Sequence, residues 1–149
     1  ENVSVMFNDI QKVGLAVHCP ELFYGDHILD LCSDDSSYRQ RSISELTKVV
    51  NLTRELKTYF PMTQKPLVVI NAGGSNTSIF LPKEKKIGMY EKIADALDQI
   101  DSNGVELIIQ TMPPFPWHFG GQRYQNIFVH LIILIDCLNF FNPVFRIIE

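Results

Sequence analysis

Three apolar segments of β-strand character alternate with segments of helical character, and each of the three ends in a polar side chain. The apolar segments are residues 13–18, 67–71 and 105–110, and they end in His18, Asn71 and Gln110. In parallel α/β folds the functional residues gather at the carboxyl ends of the strands, where a rigid sheet holds them. The order strand, helix, strand, helix, strand therefore predicts a site formed by these three residues.

Local patterns place the two intervening helices. Ser42 and Glu45 fit a capping box, which predicts that the first helix starts at Ser42, and Pro61 marks its stop. Helical spacing of apolar residues predicts a second helix over about residues 86–100. The connection from residue 18 to residue 42 exceeds the usual length of about 2–6 residues. We therefore expect it to be a functional loop.

The fold class follows from the strand-like segments and the composition. The segments lack strict polar alternation, which favours parallel strands covered on both faces and joined in right-handed βαβ units. The chain has 149 residues, of which 46% are hydrophobic and 20% charged. These values predict one globular α/β domain with a substantial core.

Charge and cysteine content limit the kinds of partner and the cellular compartment that we expect for this protein. The formal net charge of -4 gives no reason to expect a nucleic-acid partner. Three cysteines without metal-type spacing indicate neither a disulfide framework nor a zinc knuckle. A reducing cytoplasmic location is the simpler interpretation.

The last part of the chain, residues 130–149, is unusually apolar. A transmembrane helix needs about 20 apolar residues in succession. Here Asp136, Asn139, Asn142 and Pro143 interrupt the apolar run. We therefore predict a buried strand or helix in this tail and no membrane partner.

Several side chains near the predicted strand ends are candidates for chemistry. A neutral imidazole at His18 can ligate a metal or relay a proton near neutral pH, and Glu21 can act as an acid or base. Gly73 and Gly74 follow the second strand, where they either present backbone N–H groups to an anion or form a tight turn with positive φ.

The segment after the third strand holds a further group of candidates. Trp117 supplies an aromatic ring, of the kind that covers the apolar face of a sugar. The neighbouring His118 supplies a hydrogen-bonding side chain. The alternative is a proline-stiffened loop packed over the end of the sheet. Both interpretations remain open from the sequence.

Together these segments resemble the xylose isomerase-like TIM barrels, which include sugar phosphate isomerases, epimerases and AP-endonuclease-type enzymes. The resemblance runs from about residue 13 to residue 129, and its motifs are residues 17–21, 69–74 and 104–114. It implies a (β/α)8 TIM barrel. Since a complete barrel needs about 250 residues, we expect a partial barrel over residues 1–129 and an atypical apolar tail, either unrelated to the family or frame-altered, over residues 130–149. The open sheet edges would favour a homo-oligomer.

The resemblance also implies a metal site. In this family the strand ends supply His, His and Glu ligands to a divalent metal such as Mn, Mg or Zn. In this chain His18 matches the pattern, whereas Asn71 and Gln110 replace a His and a Glu. His18 and Gln110 would then be the metal ligands, although an amide coordinates more weakly than a carboxylate and cannot act as a general base.

The function implied is that of a sugar phosphate isomerase or epimerase, which transfers a proton next to a carbonyl of a sugar or sugar phosphate. His18 and Glu21 would be catalytic. The residues that would bind the substrate are Asn71, Gly73, Gly74, Gln110, Trp117, His118 and Arg123. The alternative is a non-catalytic, ligand-binding barrel fragment, because two metal ligands are replaced. A nuclease acting at abasic sites fits less well, since it needs a fuller metal cluster.

Overall fold

The computed structural model describes residues 12–74 and 81–111. Their elements, in chain order, are β1 (Ala16–His18), β2 (Leu22–Phe23), β3 (His27–Ile28), α1 (Ser36–Lys57), β4 (Leu67–Ile70), α2 (Lys83–Asp98) and β5 (Glu106–Ile109). The three segments of predicted strand character therefore supply β1, β4 and β5. Each helix lies between two of them, as the periodicity predicts.

The sheet formed by β1, β4 and β5 is parallel, which confirms the predicted α/β class. Its strand order is β1-β4-β5, with Val17 opposite Val68 and Val68 opposite Leu107. Strands that are consecutive among the parallel ones are thus neighbours in space. This order fits a (β/α)8 barrel, in which each strand lies beside the next one along the chain.

The hydrophobic core lies on one face of this sheet. Its strand residues include Val68, Ile70 and Leu107, which have the same parity in the register. The helices contribute Ile43, Leu46 and Val50 from α1 and Ile93, Ala96 and Leu97 from α2. The described helices therefore cover one face, and the expectation of helices on both faces is wrong for this part of the chain.

Helix α1 begins at Ser36, and the prediction of a start at Ser42 is wrong. Asp35 caps the helix, because its Oδ1 accepts the N–H groups of Ser37 at 2.8 Å and Tyr38 at 3.1 Å. The hydrogen bond from the Ser37 hydroxyl, together with these two from the backbone, lowers the pKa of the Asp35 carboxyl. The expected capping partner Glu45 instead pairs with Lys48 at 2.9 Å.

The long connection before α1 contains a short antiparallel hairpin of β2 and β3, in which Phe23 lies opposite His27. The hairpin is fastened to α1 by Tyr38, whose hydroxyl accepts the N–H of Ile28 at 3.0 Å and donates to its carbonyl oxygen at 2.9 Å. A second contact between the hairpin and α1 is buried: the Ser42 hydroxyl lies 3.0 Å from Nε2 of His27. This connection is therefore ordered by helix contacts.

Among the described residues, no helix is both long and apolar enough to cross a membrane. The predicted tail, residues 130–149, lies outside the described residues, and the proposed domain boundary at residue 129 stays a prediction. Within the described part, β1 and β5 each pair only with β4. The predicted self-association through open sheet edges likewise remains to be measured.

Candidate functional site

The ends of the three parallel strands meet at one edge of the sheet, as the sequence predicts. Nε2 of His18, the last residue of β1, lies 2.8 Å from Oε1 of Gln110, which directly follows β5. Because β4 separates β1 from β5, the two side chains meet across the end of the central strand. The fold thus joins two of the three predicted site residues directly.

These side chains lie on the sheet face opposite the helices. Successive residues of a strand point to opposite faces, and His18 shares its register row with Val69 and Ile108. None of these three residues belongs to the hydrophobic core cluster, whereas the neighbours Val68 and Ile70 do. In a barrel the helices form the outer layer, so the face that carries His18 corresponds to the interior.

The hydrogen bonds of His18 indicate which ring nitrogen faces the site. Nδ1 lies 2.9 Å from the carbonyl oxygen of Cys19, which can only accept, so Nδ1 carries the proton. In the neutral ring Nε2 then holds a lone pair, directed at the amide of Gln110. The amide donates its N–H to that lone pair when its oxygen and nitrogen exchange places, and its oxygen accepts from the imidazolium form. Gln110 can therefore partner both protonation states.

Asn71, the third predicted residue, directly follows the central strand β4. It is half-buried, and its Oδ1 accepts the N–H of Gly73 at 3.2 Å. This hydrogen bond closes a side-chain turn of the kind that Asn commonly makes with the residue two positions on. The side-chain nitrogen of Asn71 is a donor group at the same sheet edge as His18 and Gln110.

Gly73 and Gly74 both adopt left-handed backbone conformations, with φ of 89° and 75°. Their N–H groups already have acceptors within the chain, Asn71 Oδ1 for Gly73 and Asp30 Oδ1 for Gly74 at 3.3 Å. The carboxylate of Asp30, which contacts Gly74, also disfavours the binding of an anion here. The geometry therefore favours the tight-turn interpretation over a backbone anion site.

Asp30 is a residue that the sequence reasoning missed. Its Oδ1 accepts the N–H of Cys32 at 3.1 Å and the thiol of Cys32 at 3.2 Å, as well as the N–H of Gly74. It lies in a loop without periodicity, and its contact with Gly74 spans 44 residues of sequence. The Gly73-Gly74 pair was the available signal, because adjacent glycines often mark a close approach of another segment.

The thiols near the site are held in their neutral form. Burial raises the pKa of Cys19, the residue after His18, to about 12. Burial also raises the pKa of Cys32, and the neighbouring Asp30 carboxylate adds to the effect. Because the thiolate is the reactive form, neither cysteine is suited to act as a nucleophile at neutral pH.

The residues at the sheet edge do not fit the metal centre implied by the resemblance. The described strand-end donors are the imidazole of His18 and the uncharged amides of Asn71 and Gln110, and Oδ1 of the nearby Asp30 carboxylate already accepts the N–H groups of Cys32 and Gly74. Divalent cations of the Mg or Mn type prefer carboxylate oxygens, and Zn prefers imidazole with thiolate or carboxylate. Over the described residues no group of three or more His, Cys, Asp or Glu side chains is arranged to hold a metal ion.

The remaining predicted residues divide into two groups. Glu21 lies at the base of the hairpin, where its carbonyl oxygen accepts the N–H of Leu29 at 3.0 Å. The residue is half-buried, and its catalytic role stays a prediction. Trp117, His118 and Arg123 lie outside the described residues.

A pocket of about 140 Å³ is present at the other end of the sheet. It is lined by Lys65, Leu97, Asp98, Ile100, Ser102, Val105, Glu106 and Leu107, around the start of β5. Ligands of parallel α/β folds bind at the carboxyl ends of the strands. We therefore assign the candidate site to the edge with His18.

Comparison with known proteins identifies the fold family. A family model described as the xylose isomerase-like TIM barrel matches residues 8–141, which is most of the chain. The matched range extends past residue 129, the predicted end of the barrel part. No curated protein and no solved structure gives a significant match.

Proposed function

Because the chain belongs to the xylose isomerase-like TIM barrel family, we propose that it binds a sugar or sugar phosphate at the carboxyl ends of β1, β4 and β5. The proposed reaction is proton transfer next to the carbonyl group, as in an isomerase or epimerase. The observation that supports it is the contact between His18 and Gln110 at this edge. It provides a titratable group and an adjustable hydrogen-bond partner on the interior face.

His18 is the group proposed to move the proton. Its Nε2 lone pair takes a proton from the carbon next to the substrate carbonyl. The electron pair of that C–H bond forms a C=C bond, and the carbonyl oxygen becomes an enediolate oxygen. Return of the proton from Nε2 to the former carbonyl carbon, with transfer of the hydroxyl proton from one enediolate oxygen to the other, completes isomerisation. Epimerisation instead needs a proton delivered to the opposite face of the original carbon, for which Glu21 is the proposed acid. The Nδ1–H bond to the Cys19 carbonyl fixes the ring during both steps.

The neutral amides suit the binding part of this proposal. Amide N–H groups of Asn71 and Gln110 can donate to substrate hydroxyl groups and to the enediolate oxygen, where negative charge develops. Trp117, His118 and Arg123 are proposed to complete the site, with the arginine beside a phosphate group. Glu21 remains a proposed second acid or base. No step is assigned to a metal, because the donor set described above does not suit one.

The second candidate is a non-catalytic sugar-binding protein. The amides of Asn71 and Gln110 cannot act as an acid or a base near neutral pH, and both ring nitrogens of His18 already have partners at 2.8–2.9 Å. An arrangement of this kind can recognise hydroxyl groups without turning over the ligand. The partial replacement of ionisable residues by amides favours this candidate.

Deuterium exchange distinguishes the two candidates. The full chain would be incubated in D₂O with a panel of ketose and aldose phosphates, with and without Mn²⁺, and deuterium at the carbon next to the carbonyl would be followed by NMR. Proton transfer by His18 predicts deuterium incorporation that falls about 10²–10⁴-fold in His18→Gln. The variant Gln110→Ala tests whether the amide of Gln110 contributes to ligand binding. Its matched control is Gln64→Ala, since Gln64 is exposed and precedes β4.

The outcomes assign the function. Incorporation that depends on His18 supports the isomerase or epimerase. Saturable binding without incorporation supports the non-catalytic candidate, provided that Gln110→Ala weakens binding and Gln64→Ala does not. If no member of the panel binds or exchanges, the sugar proposal is wrong.

A further inference from the structure

The carboxylate of Asp30 lies between two loops that are far apart in sequence. It belongs to the connection between β3 and α1, and its Oδ1 accepts the N–H of Gly74 in the loop that follows β4. Beside it, the N–H of Leu31 donates to the carbonyl oxygen of Ala72 at 3.0 Å. These two bonds dock the first loop on the second, next to the candidate site.

The fit between the loops is tight at Gly73. A Cβ atom added there would lie 2.5 Å from Oδ1 of Asp30 and 2.6 Å from its Cα. Distances below 3.0 Å require something to move, and here the nearest atoms include backbone. Gly73 and Gly74 therefore have little freedom to shift relative to Asp30.

The turn held by Asp30 is the same turn that holds Asn71. The N–H of Gly73 donates to Oδ1 of Asn71, so the orientation of the Asn71 side chain depends on where Gly73 and Gly74 lie. We infer that Asp30 is a positioning residue, which fixes the glycine turn and thereby aims the Asn71 amide at the bound ligand. The role in ligand binding rests on the function proposed above.

The carboxylate acts here as a hydrogen-bond acceptor. One oxygen serves the N–H groups of Cys32 and Gly74 and the thiol of Cys32. Asparagine places an oxygen in the same position but carries no charge, whereas alanine removes the acceptor. Asp30→Asn should therefore preserve the turn, and Asp30→Ala should release it.

Amide hydrogen exchange and side-chain NMR relaxation test the inference in the absence of ligand. In the full wild-type chain we expect protection at the Gly74 amide and a rigid side-chain NH₂ group on Asn71. In Asp30→Ala we expect exchange at Gly74 and Cys32 to accelerate at least tenfold, and the order parameter of the Asn71 NH₂ group to fall below about 0.6. Asp30→Asn should restore both values.

The controls separate positioning from general destabilisation. Asp34→Ala removes an exposed carboxylate from the same connection, one that pairs with Lys92, and should leave Gly74 and Asn71 unchanged. The amides of β4 should stay protected in every variant, and the side-chain amide of the exposed Asn51 should not change.

The inference is overturned if the wild-type Gly74 amide exchanges at the unprotected rate, a result that needs no variant to fold. It is also overturned if Asp30→Ala leaves Gly74 exchange and Asn71 mobility unchanged, or if Asp30→Asn fails to restore them. Because these readouts use no ligand, a failure here leaves the sugar proposal standing. Absence of sugar binding, in turn, leaves the structural role of Asp30 intact.

Discussion

His18 and Gln110 are separated by 92 positions in sequence, yet their side chains form a 2.8 Å hydrogen bond across the end of β4. The bond exists because β1 and β5 flank the same central strand in a parallel sheet, so that their carboxyl ends lie at one edge. Both side chains lie on the face that the described helices do not cover. This relationship is the basis for placing ligand chemistry at the interior face of the barrel.

Restoring ionisable residues at the strand ends should create a metal site. The double variant Asn71→His, Gln110→Glu gives the set His, His and Glu that the family resemblance implies, with a carboxylate in place of a neutral amide. We expect Mn²⁺ or Zn²⁺ affinity to rise at least tenfold, which corresponds to about 1.4 kcal/mol. Isothermal titration calorimetry measures it, with Gln64→Glu as the control for added charge. Equal affinity in the variant and the wild type would show that the strand ends do not converge on one ion.

Three glycine variants separate backbone strain from steric overlap. Gly73→Ala combines a left-handed φ, which costs about 1–2 kcal/mol, with overlap against Asp30, which costs a further 1–3 kcal/mol or so. Gly104→Ala has a similar φ of 81° but open space, so only the first cost applies. Gly88→Ala, in α2 with nothing within 4 Å, should stabilise by about 1 kcal/mol. Urea unfolding measures all three, and equal losses for Gly73 and Gly104 would contradict the tight approach at Asp30.

Much of this arrangement is readable from the sequence, for a physical reason. β1, β4 and β5 are apolar because one face of the sheet packs against the helices and the other corresponds to the barrel interior, and the polar residue that ends each strand stands out against that background. The positions of His18 and Gln110 could therefore be predicted. The tight turn at Gly73 could be predicted as one of two alternatives, since left-handed φ values favour glycine.

The parts that could not be predicted depend on contacts between distant segments. Asp30 has no local pattern that marks it, and its role comes from a loop 44 residues away. The strands β2 and β3 are two residues each, too short to show alternation. Ser42 matched a capping box locally, but burial against the hairpin decides its environment, and the helix continues back to the Asp35 cap.

The buried hydroxyl of Ser42 should contribute measurably to stability. It accepts the N–H of Asp30 at 3.1 Å and contacts Nε2 of His27, so Ser42→Ala leaves both groups without that partner in the core. We expect a loss of about 1–3 kcal/mol in the free energy of unfolding. Ser44→Ala, at an exposed position of the same helix, is the matched control and should change stability by no more than about 0.5 kcal/mol. Indistinguishable urea midpoints for the two variants would contradict the buried network.

His27 should make the protein less stable at mildly acidic pH. Burial, and then the positive charge of Arg41, lower its pKa below the ordinary 6.5, against opposing contributions from Glu45 and Asp30. The folded state therefore keeps the ring neutral, whereas the unfolded state takes up a proton as the pH falls through 6.5. The stabilisation that comes from the neutral His27 ring is fully present above pH 6.5. It is lost as the pH falls from 6.5 through the lower pKa of the folded state.

The variant His27→Gln isolates this contribution, since glutamine keeps a hydrogen-bonding group near Ser42 but does not titrate. Urea unfolding between pH 5 and 8 should show a smaller decline towards acid in the variant than in the wild type. Parallel pH profiles for the two proteins would show that His27 does not titrate differently in the folded and unfolded states.

The most direct test of the proposed site is the ¹H–¹⁵N NMR spectrum of the His18 ring during titration with sugar phosphates. We expect Nδ1 to carry the proton, and the Nε2 signal to shift in a saturable way as the ligand displaces the amide of Gln110. The same titration of Gln110→Ala should need a higher ligand concentration, whereas Gln64→Ala should match the wild type. If the His18 ring signals stay unchanged with every sugar phosphate tested, the assignment of ligand chemistry to this edge of the sheet is wrong.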